Sequence, residues 1–282
     1  MLRFALAFLF GGLFVSHQNH TANAAERVQF ESARYQVGPL QRRLALERRE
    51  PIIPAAPSVI SGFLTRPDGP GPFPAMVHLH GCSGLPDEVK RSANHLGSER
   101  AAAWGYVVLV VDSFTTRGID NTCSGEFAPR VADAYGALAY LARQPFVDAN
   151  RIAVIGFSAG GIATLSIAEA RDFELFDGEE EHRFKAAVAF YPLCRSYNAL
   201  AIPTLILIGE LDDWTPAAAC RAATARRIGD SPVKLIVYPG AHHAFDTPRP
   251  GRRYFGHWLE YNAAAADAAA EETRRFLAEQ LR

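Results

Sequence analysis

The stretch GFSAG (156–160) sets one serine between two glycines. A serine hydroxyl is a weak nucleophile at its own pKa. It needs a base to take its proton and a carboxylate to orient that base. Both types lie downstream. GELDDWTP (209–216) offers Asp212 and Asp213, and PGAHHAF (239–245) offers His242 and His243. Upstream, HGCSG (80–84) is a small-residue loop that can aim a backbone N–H at the charge developing on an attacked carbonyl oxygen. The residue after the serine supplies a second donor. Cys82 and Ala159 are therefore the expected oxyanion donors. The chemistry this set would perform is acyl transfer through Ser158.

Each residue also has a plainer reading. GFSAG can be a glycine-rich turn without chemistry, and either aspartate can cap the helix that Thr215-Pro216 opens. The glycine spacing is not G-x-G-x-x-G, so no dinucleotide is implied. His78 and His80 could be two metal ligands, but no third follows at suitable spacing. No metal and no cofactor is expected.

These residues need a scaffold, and the pattern around them supplies one. Short apolar, β-branched runs recur at 74–80, 106–112, 151–157, 185–191, 203–209 and 233–239. Most are apolar on both faces, as in a parallel sheet covered on each side. Helical stretches lie between them at 88–104, 129–143, 160–170 and 217–228, and an alanine-rich amphipathic stretch closes the chain at 262–282. The alternation predicts a doubly wound α/β fold. In such sheets functional groups gather on loops at the carboxyl ends of the strands. Ser158, the aspartates, the histidines and HGCSG each follow a strand candidate. The chain order Ser, Asp, His is that of the α/β-hydrolase fold. The expected class is thus α/β, an α/β-hydrolase fold with a mostly parallel central sheet and helices on both faces. Residues 25–73 read as an irregular segment with early strands such as 58–67, residues 74–282 as the core, and 25–282 as one domain. PIIPAAP (51–57) reads as loop or edge.

Composition adds bounds. The chain has 282 residues and a formal net charge of −1, which gives no electrostatic signature of nucleic-acid binding. Residues 1–24 carry Arg3, an apolar run too short to span a bilayer, and then Ala22-Asn23-Ala24. That order predicts a secretory signal peptide cut after Ala24, hence a secreted or periplasmic protein with no membrane attachment after cleavage. In an oxidising space the four cysteines suggest disulfides. Four allow three connectivities, and spacing does not choose among them.

From about Pro74 to the C-terminus the chain resembles the dienelactone hydrolase family. The resemblance is carried by VDANRIAVIGFSAGG (147–161), GELDDWTP (209–216) and YPGAHHAF (238–245). It implies the roles. The spacing of Gly209, Asp212 and Pro216 selects Asp212 over Asp213, and the small residue and phenylalanine after it select His243 over His242. Two departures stand out. The family's best-known members use a cysteine nucleophile, where this chain has Ser158. They also carry a glutamate in the loop that here reads Gly81-Cys82-Ser83. Arg117 in DSFTTRG (112–118) resembles a family arginine that binds a substrate carboxylate; the other reading is a solvated loop arginine. With neighbouring loops on one face of this fold, the expected pairs are Cys82 with Cys123 and Cys194 with Cys220.

The expected activity is hydrolysis of a small-molecule carboxylic ester or lactone through an acyl-enzyme. Two alternatives are a peptidase of the prolyl-oligopeptidase kind, whose usual large propeller finds no room in this chain, and a non-catalytic binding protein on a hydrolase scaffold. Neither the substrate nor the oligomeric state follows from the residues.

Overall fold

The computed structural model describes residues 24–52, 56–86, 97–126, 128–169, 176–177, 182–195, 199–226 and 229–282. Apart from Ala24, the expected signal peptide lies outside them.

The apolar runs form one eight-stranded sheet in the order β1-β3-β5-β4-β6-β8-β9-β10. Its strands are β1 (Glu26–Glu31), β3 (Val59–Thr65), β4 (Phe73–Leu79), β5 (Val107–Asp112), β6 (Val147–Phe157), β8 (Ala186–Phe190), β9 (Thr204–Gly209) and β10 (Val233–Tyr238). β5, β4, β6, β8, β9 and β10 run parallel, while β3 lies antiparallel beside β5 and β1 antiparallel beside β3 at one edge. Every residue of β5, β8 and β9 is buried, which requires cover on both faces. The fold is the expected mostly parallel α/β sheet.

The cover comes from helices between the strands. They are α2 (Ser98–Ala103), α3 (Arg130–Ala142), α4 (Ala159–Ala168) and α5 (Ala217–Arg226). The closing helix α6 (Ala263–Gln280) packs against β8 and β9 and buries Phe276 and Leu277. Its N-cap is Asn262, whose side chain accepts from Ala265 N at 3.0 Å. The helix read at 88–104 is described only from Ser98 to Ala103.

The N-terminal region is more regular than its composition suggests. In β1 only Val28 and Phe30 point inward, so ERVQFE reads as a half-buried edge strand once β3 is beside it. Next come β2 (Arg34–Tyr35), paired with β7 (Phe176–Asp177), and α1 (Pro39–Arg48), a helix with no buried residue. A second unforeseen element is a hairpin of β11 (Arg252–Tyr254) and β12 (His257–Leu259), placed directly after the histidine loop.

Candidate active site

The turn from β6 into α4 is steric in origin. A Cβ on Gly156 would lie 2.1 Å from the Gly160 carbonyl oxygen, and a Cβ on Gly160 would lie 2.3 Å from that of Leu79. Only glycine fits at either place, and the chain can then turn sharply enough for Ser158 to adopt φ 52°, ψ −113°. This is a costly conformation for a side-chain-bearing residue, on the order of 1–3 kcal/mol. It is held by the bond from Ser158 N to Phe190 O at 3.0 Å and by the helix that begins at Ala159.

Ser158 Oγ lies 3.0 Å from His243 Nε2, and His243 Nδ1 lies 2.8 Å from Asp212 Oδ2. The histidine and the aspartate are almost entirely enclosed, at 2% and 4% exposure. Asp212 uses both oxygens. Oδ1 accepts from Trp214 N at 3.0 Å and Thr215 N at 2.8 Å, while Oδ2 takes the ring nitrogen and the Thr215 hydroxyl at 2.8 Å. The two readings of the acid loop, cap and orienting carboxylate, therefore meet in one residue. Asp213 turns outward instead. Its Oδ1 accepts from Trp258 N at 3.3 Å and lies 3.4 Å from His257 Nδ1, tying the β11–β12 hairpin to the acid loop. His242 also faces away, with Nδ1 3.1 Å from Leu211 O.

The HGCSG loop runs alongside, with a Cβ at Gly81 placed 3.7 Å from Ser158 Cβ. Its carbonyls are tied down on the side away from the serine. Gly81 O lies 2.7 Å from His80 Nδ1, and it accepts from Arg130 Nη2 and from Gly84 N, each at 3.3 Å. His80 Nε2 accepts from Ser113 N at 3.3 Å, so the proton of the neutral ring sits on Nδ1 and is donated to Gly81 O. Cys82 O accepts from Thr122 N at 2.8 Å. Arg130 is buried, and burial lowers its pKa to about 10, still a cation at neutral pH. It lies 4.8 Å above the Phe114 ring.

These groups open onto a cleft with about 140 Å³ of interior space. Ser158, His243, Cys82, Trp214 and Tyr254 all line it. Tyr191 lies edge-on to the His243 ring at 4.7 Å, and its hydroxyl donates to Asp246 at 2.8 Å. Burial, followed by the Asp246 charge, holds the Tyr191 phenol well above its usual pKa. Among the described residues, no group of three or more His, Cys, Asp or Glu side chains is placed to hold a metal.

A model of the Dienelactone hydrolase family matches residues 60–281. The chain belongs to the dienelactone hydrolase family. Cutinase 1 of Thermobifida cellulosilytica is 29% identical over 122 residues, covering 43% of this chain and 42% of that protein. Acylamino-acid-releasing enzyme 2 of rice is 27% identical over 164 residues, 56% of this chain and 19% of that protein. The chain thus spans less than half the length of these curated relatives. A thermophilic esterase of Thermogutta terrifontis, solved with propionate bound, shares the fold with a TM-score of 0.58 and 19% identity, over 79% of this chain and 90% of that one.

Within this dienelactone hydrolase family member, Arg117 stands apart from the other expected site residues. Its guanidinium makes two bonds to buried Asp133, of 2.8 and 2.9 Å, and a third to Ser113 O at 2.7 Å. It is neither a solvated loop residue nor part of the cleft lining. The reason is local. Asp133, in the first turn of α3, has its carboxylate wholly buried and takes Arg117 as its ion-pair partner. The cysteines pair Cys82–Cys123 and Cys194–Cys220, as the loop layout predicts. Both cross-links brace the face that carries Ser158 and His243. One holds the HGCSG loop, and the other ties the segment after β8 to the helix that follows the acid loop. Arg130, Thr122 and the β11–β12 hairpin had no signature in the residue pattern, and Thr215 left only the trace of a helix-start residue.

Proposed function

We propose that this chain is a serine carboxylic ester hydrolase acting on small-molecule esters or lactones through an acyl-enzyme. The observation that carries the reading is the unbroken series Ser158 Oγ, His243 Nε2, His243 Nδ1, Asp212 Oδ2, with steps of 3.0 and 2.8 Å across the ring.

In this reading His243 Nε2 takes the Ser158 proton as Oγ bonds to the ester carbonyl carbon. The carbonyl π electrons move onto oxygen, giving a tetrahedral oxyanion. Asp212 holds the imidazole in the tautomer that leaves Nε2 free to accept, and it stabilises the imidazolium that forms. Two backbone donors receive the oxyanion. The Gly81–Cys82 peptide is trans, so its N–H points opposite to the carbonyl held by His80 and Arg130. Ala159 N is the first amide of α4, where no intrahelical acceptor exists. Collapse of the intermediate breaks the C–O bond, and the imidazolium proton passes to the leaving oxygen. Water then attacks the acyl-enzyme along the same route in reverse. Arg117, Thr215 and Arg130 act through other groups, as positioning residues.

The family membership and the cutinase and esterase relatives support ester hydrolysis, and the departure from cysteine to Ser158 is consistent with the missing glutamate. The two disulfides support work in an oxidising space, in line with the signal expected over 1–24. No helix among the described residues is long and apolar enough to cross a membrane.

Purified protein should hydrolyse short-chain nitrophenyl esters, and a fluorophosphonate should label Ser158. Ser158→Ala should lose both. Full activity in that variant would overturn the assignment.

A further inference from the structure

The β11–β12 hairpin walls one side of the cleft, and its turn is built against ordinary turn chemistry. Tyr254 pairs with His257, so Phe255 and Gly256 are the two turn residues, with φ of 50° and 85°. A two-residue hairpin turn of this kind favours Asn, Asp or Gly at the first position. This chain places a phenylalanine there, in a backbone region that bulky residues avoid, and leaves the residue 49% exposed. Both choices are unfavourable for stability and solubility.

The ring is not isolated. Phe255 lies nearly parallel to Trp214 at 6.3 Å and edge-on to Tyr254 at 4.9 Å. Trp214 stacks on His257 at 4.8 Å with the planes 13° apart. Trp214 also lies 5.1 Å from the ring of His243. Trp214 and Tyr254, 6.0 Å apart, line the cleft beside the base, and Phe255 carries the aromatic series on from the cleft lining to the protein surface. Direction follows from the chemistry. Nε2 of His243 must reach the departing oxygen, so the alcohol part of the ester leaves along the His243 side, which is the side of the aromatic series.

We propose that Trp214, Tyr254 and Phe255 form a subsite for an aromatic group in the alcohol portion of the substrate, which makes this a hydrolase of esters of aryl-bearing alcohols. The inference rests on the ester-hydrolase reading for its direction. Offset and edge-on ring contacts favour an aromatic guest over a saturated one of the same shape.

The test compares 2-phenylethyl acetate with 2-cyclohexylethyl acetate. The two alcohols leave about equally well, and the saturated ring is the more hydrophobic, so a merely greasy wall would prefer it. Wild type should show kcat/KM about fivefold higher for the phenyl ester, the range expected of one or two ring contacts. The ratio is internal to each variant, so any loss of folded protein cancels. Phe255→Asn with Tyr254→Leu, which leaves Trp214 alone, should cut the ratio to about two, while Phe255→Tyr should keep it. Phe255→Asn alone should raise Tm while lowering the ratio. A wild-type ratio of one or less, or a ratio kept in the double variant, would overturn the subsite. If no ester at all is turned over, it is the ester-hydrolase reading that fails. The subsite is then decided by binding of 2-phenylethanol and 2-cyclohexylethanol to Ser158→Ala, followed by ligand-observed NMR. Several-fold tighter phenyl binding supports it, and equal or reversed affinities overturn it.

Discussion

Arg117 grips Asp133 with a two-pronged ion pair, 2.8 and 2.9 Å, and passes its position on through Ser113 O at 2.7 Å. Ser113 N in turn donates to His80, which donates to Gly81 O. A residue that resembles a carboxylate anchor is thus the foot of a chain of bonds that ends at the HGCSG loop. Arg117→Ala strands a wholly buried carboxylate. The expected cost is about 3–5 kcal/mol, or a fall in Tm of roughly 10 °C. The preference between esters with and without a free carboxylate should not change. Calorimetry and a matched ester panel check both halves. Normal stability with selective loss of the acidic esters would restore the anchor reading.

Thr215 offers a hydroxyl to Asp212 Oδ2 at 2.8 Å and lies 3.2 Å from His243 Nδ1. It also lies 3.1 Å from Tyr191 O, so one small side chain joins the acid, the base and the loop after β8. Thr215→Val keeps the shape and removes the bonds. The expected result is a kcat about tenfold lower, near 1.4 kcal/mol, with KM little moved. Rescue by Thr215→Ser separates the hydroxyl from the methyl. A large rise in KM with kcat intact would contradict the positioning role.

Reduction of the disulfides should reach activity before it reaches the fold. The paired cysteines are 41 and 26 positions apart, and each cross-link is worth about 3–4 kcal/mol in the chain-entropy account. Cys82–Cys123 also holds the loop that carries the proposed Cys82 N–H. Cys82→Ala with Cys123→Ala should therefore lower kcat at a temperature where circular dichroism is still native. The matching Cys194 and Cys220 pair should lower Tm with a smaller change in kcat, because neither cysteine is a proposed oxyanion donor. Equal kcat losses in the two variants would count against this division.

His78 supplies an acid sensitivity. Burial, with the neighbouring His80 adding to it, lowers its pKa from 6.5 to about 3. Between those values the unfolded chain binds a proton that the folded chain refuses. Stability must then fall as pH falls from 6.5 toward 3, by up to about 1.4 kcal/mol per pH unit. At pH 5 the loss relative to neutral pH is about 2 kcal/mol. His78→Phe, whose ring can keep the contact with Phe157 at 4.6 Å, should remove that part of the slope. Urea unfolding at pH 7 and pH 5 measures it, and an unchanged slope would mean that other groups carry the acid response.

Much of this protein is legible in one dimension. The both-faces-apolar strands, the order Ser158, Asp212, His243 and the two glycines of the elbow all follow from local rules: period, propensity and the room a Cβ needs. Each catalytic candidate also sits at a strand end, and the doubly wound fold puts strand ends on one side. That is enough to form an expectation of the reaction class from the residues. The misses share a cause. The edge strand Glu26–Glu31 is half-exposed and charged, so it reads as strand only beside β3. Arg117 and Asp133 are 16 residues apart and on different elements, and nothing in the residues says that the carboxylate between them is buried.

What the residue order settles by itself is which groups can react and in what sequence they occur along the chain, because those depend on side-chain chemistry and local backbone freedom. What only the folded structure decides is how each group is held. Asp212 bonds the histidine while Asp213 pins a hairpin, Cys82 joins Cys123, Arg117 pairs with Asp133 and Phe255 stands exposed at the hairpin turn. These depend on which surfaces meet and which charges lose their water, and burial is a property of the assembled chain.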